Sequence, residues 1–265
     1  MDLNTAAIYF GISAVIAMFL FNIFHCALAN VFGVRIEKFS LLTTFGNTYL
    51  IKFKRNHTQY NLGWIPTGSY IKISGMIDER FDTSEPLKIE DYMLLSKPPI
   101  VRIICTFCAP ALLVVPFLIS AFFIVSDGSI NEGFQILIEV INNIYQYISG
   151  TIDSVQTETN WNTITNTANI FPIILCLLTL FMAISSTISA IISNIAIQTV
   201  NALMLLNVVF LLCYVYILYK LGALYFSKYD FTDGLIDFLK FLVPVYIFSL
   251  AIILLIKVLP KNKYI

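Results

Sequence analysis

Three stretches of the chain run without a charged residue for longer than a soluble domain tolerates. Ala6–Ala29, Ile103–Ser126 and Phe171–Tyr219 contain no Asp, Glu, Lys or Arg. As a helix rising about 1.5 Å per residue, each of the first two is long enough to cross a hydrocarbon core of about 30 Å. The third is about twice too long for one straight crossing, so it must bend, break or cross twice. A shorter apolar run, roughly Leu239–Leu259, supplies a last span. The pattern predicts an all-α integral membrane bundle of about four transmembrane helices, covering 1–29, 103–125, 171–219 and 239–259, with the third broken near Ser193 to Asn201. Two crossings within 171–219 give a five-helix alternative. The first span reads as retained, because no basic stretch precedes it and no small-residue cleavage pattern follows at a suitable distance.

The connecting segments carry patterns of their own. Thr48–Met76, TYLIKFKRNHTQYNLGWIPTGSYIKISGM, alternates apolar and polar residues, with a turn-forming Arg55-Asn56-His57 between two strand-like runs. Pro66, Gly68 and Gly75 interrupt the second run and favour a bent or bulged edge. The expected element is a small antiparallel β-hairpin or sheet against the membrane's inner surface. Within 126–170 the period changes to that of a helix. Phe134, Leu137, Ile138, Ile141, Ile144, Tyr145, Ile148, Ile152 and Val155 recur at steps of three and four, opposite Glu139, Asn142, Asn143, Gln146 and Asp153.

Composition agrees with lipid as the main solvent: 58% of the 265 residues are hydrophobic, 12% are charged, and the mean hydropathy is +0.82. The net charge of zero hides an asymmetry. Ten of the sixteen Lys and Arg residues fall between Asn30 and Arg102, and none falls between Val125 and Ile170. Basic loops stay inside, so 30–102 is expected in the cytoplasm, with the N-terminus and 126–170 outside. Lys220, Lys228 and Lys240 balance Lys257, Lys261 and Lys263, so charge leaves the side of the C-terminus open. Without basic residues, the 126–170 helix suits a partner protein or the ends of the spans better than anionic headgroups. Cys26, Cys105, Cys108, Cys176 and Cys213 all lie in apolar runs. The CxxC spacing of Cys105 and Cys108 is read as packing.

Gly33-Val34-Arg35-Ile36-Glu37-Lys38-Phe39-Ser40, followed by Ile65-Pro66-Thr67-Gly68-Ser69-Tyr70-Ile71-Lys72, resembles the site-2 protease family of intramembrane zinc metalloproteases. Members of that family follow a first membrane helix with GVRVEKFSIGFG and then with a strand reading PLGGYVK. Gly75-Met76-Ile77-Asp78-Glu79 and Ser96-Lys97-Pro98 are similar to a bacterial branch. Ala109-Pro110 stands where the family's second helix has Gly-Pro. The resemblance is clear over Phe21–Pro110 and weak over Ala190–Leu206.

The same resemblance shows what has been replaced. The family's HExxH motif ends eight residues before the glycine equivalent to Gly33, which sets its frame on Phe21-Asn22-Ile23-Phe24-His25. Two histidines at i and i+4 hold zinc from one helical face, and the glutamate takes a proton from the metal-bound water. Here the first histidine is Phe21 and the glutamate is Asn22; only His25 is kept. The third ligand, an aspartate in a broken NLxPxPxLDGG helix, aligns with Asn201, and Phe171–Tyr219 offers no carboxylate at all. His25 is then a remnant or a hydrogen-bonding residue within the bundle. The 45 residues of 126–170 are also too few for the PDZ domain that bacterial members often carry there.

These readings imply a noncatalytic, degenerate member in the bacterial cytoplasmic (inner) membrane, acting as a binding subunit, scaffold or regulator of a membrane protein complex. No catalytic residue, cofactor or zinc is expected, and no nucleic acid; the expected partners are one or more membrane proteins and the lipid bilayer. Gly68, Ser69, Tyr70, Ile71 and Lys72 form a candidate peptide- or partner-binding edge, since backbone pairing does not require the lost ligands. An intramembrane zinc protease with a rebuilt site is the alternative. A membrane transport component ranks third, because the spans lack the ionisable residues that ion pathways use.

Overall fold

The computed structural model describes residues 3–44, 48–75, 89–125, 128–165, 169–196 and 200–259. Helix α1 (Leu3–Val31) leads into strands β1 (Ile36–Thr43), β2 (Ile51–Arg55), β3 (Thr58–Leu62) and β4 (Ile65–Ile73). Helices α2 (Pro99–Ile103), α3 (Ala109–Leu112) and α4 (Val114–Phe122) follow, with a π-helical turn at Ile104–Cys108 between the first two. The remainder is α5 (Ile130–Ser149), α6 (Ser154–Ile164), α7 (Ile170–Ala196), α8 (Val200–Phe226) and α9 (Phe231–Val258). Four stretches among the described residues are long and apolar enough to cross a membrane: Thr5–Val31, Pro99–Phe122, Ile170–Ile188 and Phe231–Val258. The protein is a helical membrane bundle with a small sheet.

Two compact units divide the chain: Ala14–Leu113 with Leu242–Ile265, and Met1–Ser13 with Val114–Phe241. In the first, Gly33 takes φ +63° and ends α1, with the Val34 amide closing back on the Ala29 carbonyl at 2.8 Å. The chain then reverses into β1. The sheet order is β2-β3-β1-β4, and it is mixed, not antiparallel as the alternation suggested: β1 pairs parallel with β3 and antiparallel with β4. β2 and β3 do form the expected hairpin, turning at Asn56 (φ +53°). The hairpin docks through its second strand, which places β3 beside β1 in the same direction.

This order forces a tight crossing. β3 and β4 flank β1 on opposite sides, yet only Gly63 and Trp64 connect them, so the chain must pass over the end of β1. Their amides bond the Leu41 and Thr43 carbonyls at 2.9 and 3.1 Å. A β-carbon at Gly63 would stand 2.1 Å from the Thr43 oxygen. β4 bulges where expected: Leu41 pairs with Ser69 but Thr43 with Ile65, so Pro66, Thr67 and Gly68 oppose Leu42 alone.

The sheet is not confined to the end of α1. It folds back beside the helix as far as Asn22, nine residues before Val31, about 13 Å at 1.5 Å per residue. Irregular backbone at that depth is tolerated where protein covers it. α9 helps to cover it: the Arg55 guanidinium donates to the Ile256 carbonyl and the Tyr246 hydroxyl to the Trp64 carbonyl. The C-terminal end of α9 therefore lies beside the hairpin turn that α1 also points towards.

The second span begins at Pro99, before the expected 103. Its π-turn precedes Pro110, which has no amide for the preceding turn and whose ring would clash with a regular helical carbonyl.

In the second unit, the expected single helix of 126–170 is two. Gly150 (φ +80°) closes α5, with the Thr151 amide on the Gln146 carbonyl at 2.8 Å, and Asp153 caps α6 through the Gln156 amide at 2.7 Å. The buried face is also rotated from the expected one. Gly133, Leu137 and Val140 go inside, while Ile138, Ile141 and Tyr145 stay exposed. Gly133 decides this, because a β-carbon there would meet the Ala121 carbonyl of α4 at 2.2 Å. Asn143, expected on the polar face, is buried: it donates to the Thr157 carbonyl at 3.0 Å and accepts from Asn160 at 3.1 Å, fastening α5 to α6. The long apolar stretch forms two 27-residue helices, α7 and α8; the expected break around Ser193–Asn201 covers residues 197–199, which lie outside those described.

Two outcomes follow. Gly63→Ala is expected to cost about 3 kcal/mol or more of stability, since backbone, not a flexible side chain, blocks the added carbon; thermal unfolding in detergent reads it. A reporter fused to the C-terminus is expected on the same side of the membrane as one inserted within 30–102, the result that five crossings give and four do not.

Candidate functional site

The HExxH frame lies on the part of α1 that faces the sheet. Asn22 is fully buried and uses both ends of its amide. Its Nδ2 donates to the Ser40 carbonyl of β1 at 3.4 Å, and its Oδ1 accepts from the Ser69 hydroxyl of β4 at 3.3 Å. One side chain thus joins the helix to two adjacent strands. Interhelical bonding, the ordinary use of asparagine in membranes, is not what Asn22 does.

An ionised carboxylate matches these partners less well. An ionised acid accepts hydrogen bonds but donates none, so its second oxygen would be pressed against the Ser40 carbonyl. The general-base position of the motif is occupied by a group whose neighbours select an amide.

His25 is nearly buried, and its Nδ1 donates to the Phe21 carbonyl one turn earlier at 3.1 Å. The bond stays within α1 instead of reaching a neighbouring helix. The Phe21 ring meets the imidazole edge-on, with centroids 4.4 Å apart, so the side chain in the first-ligand position covers the retained histidine. Cys26 packs elsewhere, on the apolar cluster of Ala29, Val34, Ile36, Ile73 and Cys105.

The candidate edge is an edge strand. Among the described strands β4 is outermost, with Tyr70 opposite Ser40 and Ser69 opposite Leu41. Its residues divide by role: Ser69 bonds Asn22, Ile71 packs on the cluster, Lys72 pairs with Glu37 at 3.1 Å, and Tyr70 remains 45% exposed. Gly68 has room for a side chain, with only the Thr43 methyl 3.8 Å away. Residues Met76–Glu79, part of the sequence resemblance, lie outside those described. Asn201 falls in the first turn of α8, in the other unit, and its side chain is likewise outside the described set.

The zinc ion of such a motif needs at least three donors. Among the described residues no three His, Cys, Asp or Glu side chains converge, and the frame itself offers a single imidazole. That donor set does not fit the ion.

The model of peptidase family M50 matches residues 9–223, well over half of the chain. The protein belongs to that family, the site-2 proteases. No curated protein matches it. For a family M50 chain, the matched region covers α1, the sheet, the second span and most of α8, so the fold reaches well beyond the two short motifs. Sequence reasoning placed Ser69 on the edge but missed its tie to Asn22. The available signal was the asparagine itself, a polar residue within an apolar helix that needs partners for both ends of its amide.

Asn22→Asp tests the arrangement with almost no change in shape. It is expected to cost about 3 kcal/mol in thermal unfolding, the scale set by a buried, unmatched acceptor or charge. Ser69→Ala removes one neutral bond and should cost about 1 kcal/mol.

Proposed function

We propose that this protein is a noncatalytic member of the site-2 protease family that acts as a binding subunit, scaffold or regulator within a membrane protein complex. The observation that carries the reading is the double engagement of Asn22. Where hydrolysis requires a base free to take a proton from water, this chain has an amide already committed to Ser40 and Ser69. Phe21 adds a ring that cannot ligate a metal. The reading keeps what needs no zinc: an edge strand at Gly68–Lys72 able to pair with an extended segment of another chain. In this account 30–102 faces the cytoplasm, 126–170 lies outside the bacterial inner membrane, and the C-terminus is cytoplasmic.

A second reading, an intramembrane protease with a rebuilt site, draws on one observation. Because Nδ1 of His25 donates to Phe21, the neutral ring keeps its lone pair on Nε2, the atom a metal could take. Completing a site would then require donors from another chain.

Photoreactive substitution at Tyr70, followed by cross-linking in native membranes, separates the two. Binding by the edge predicts a discrete membrane-protein adduct of constant length. Adducts to lipid alone contradict it, as does a partner that appears shortened with wild-type protein and intact with His25→Ala.

A further inference from the structure

The unit of Met1–Ser13 and Val114–Phe241 contains a cavity of about 470 Å³ that the proposed function does not use. It lies where helices end: α7 begins at Ile170, α8 stops at Phe226, and the cavity takes in the first residue of α7 and the turn after α8. In a membrane protein, that is the level of the bilayer surface.

Its lining divides by chemistry. Ile170 and Ile174 of α7 and Leu221 and Leu224 of α8 provide an apolar wall continuous with two long apolar helices. Lys228, Glu158, Trp161, Ser154 and Asn162 provide a polar rim. The Lys228 ammonium bonds the Glu158 carboxylate, and this hydrogen bond raises the lysine above its ordinary range, so it stays charged. The side chains of Trp161, Ser154 and Asn162 make no hydrogen bond to another described residue. The rim therefore offers one cation, one anion and three uncommitted donors, with Tyr225 and Tyr229 beside them, the aromatic residues typical of a membrane interface.

A wholly water-soluble ligand would leave the wall unfilled, and a plain hydrocarbon would leave the rim unused. A purely anionic headgroup would meet the Glu158 carboxylate beside the lysine. We infer that this cavity is a binding site for an amine-bearing, zwitterionic phospholipid. The lipid phosphate takes Lys228 and the Trp161 indole N–H, the headgroup ammonium takes Glu158, and an acyl chain leaves along Ile174 and Leu221 into the bilayer. Four alternating charges at the rim satisfy one another without a net charge, so this selectivity differs from that of a basic patch for anionic lipid. Cavities of this size with a few placed polar groups are the usual form of small-ligand sites. The site stands independently of whether the chain cleaves anything.

Native mass spectrometry of the full-length protein, extracted in mild detergent and given phosphatidylethanolamine or phosphatidylglycerol, tests the inference. One retained phosphatidylethanolamine per chain is expected, favoured over phosphatidylglycerol. Lys228→Gln should weaken it about tenfold or more, the effect of losing a charge-assisted bond to phosphate. Glu158→Gln should remove the preference between the two lipids. Ile174→Trp, which narrows the cavity at its apolar wall, should weaken retention while thermal unfolding still shows a folded chain; if that variant fails to fold, the two exposed charge variants carry the decision. Retention of detergent only, a preference for phosphatidylglycerol, or binding unchanged in both charge variants would overturn it.

Discussion

A buried amide ties the sheet to the helix before it, beside the apolar cluster of Ala29, Val34, Ile36 and Ile73. Asn22 donates to β1 and accepts from β4, and the strands it joins reach their positions only because Gly33 reverses the chain after α1 and Gly63 passes beneath the Thr43 carbonyl. Remove the amide, and β1 and β4 lose the hydrogen bonds that tie both to α1. The pair of bonds is conditional on residue 22 being able to donate and accept at once. An ionised carboxylate there could accept from Ser69 but could not donate to the Ser40 carbonyl. Position 22 is thus a tie between α1 and the sheet, and changing it carries a structural cost.

The other family positions follow the same logic. Phe21 lies edge-on to the imidazole of His25 and supplies the carbonyl that fixes its Nδ1. The histidine is oriented by its own helix, in a space closed by apolar packing. The edge strand, by contrast, keeps its exposed Tyr70 and its Lys72–Glu37 pair. The helix side of the frame is packed and hydrogen-bonded, while the strand edge stays exposed at Tyr70.

Local signals in the sequence were sufficient where structure is locally determined. The spans, the turn at Asn56, the bulge at Pro66 and Gly68, and the placing of Gly68–Lys72 on a strand could all be read from residue type and spacing. The parallel pairing of β1 with β3 could not, because alternation gives strands but not the side on which a hairpin docks. The division of 126–170 into α5 and α6 was signalled by Gly150 and Asp153, a helix stop followed by a cap, but the apolar period happens to run on past them. Burial of Asn143 and exposure of Ile138 depend on Gly133 allowing α4 to approach. That is a tertiary fact with no periodic signature. The tie from Asn22 to Ser69 spans 47 residues of sequence and belongs to the same class.

The central claim is that position 22 serves as a structural clamp and the motif no longer holds a catalytic metal. Zinc content of the protein purified at native expression, measured by elemental mass spectrometry beside a His25→Ala variant, tests it most directly. The account predicts far less than one zinc per chain and no difference between the two. One zinc per chain that vanishes in His25→Ala would contradict it.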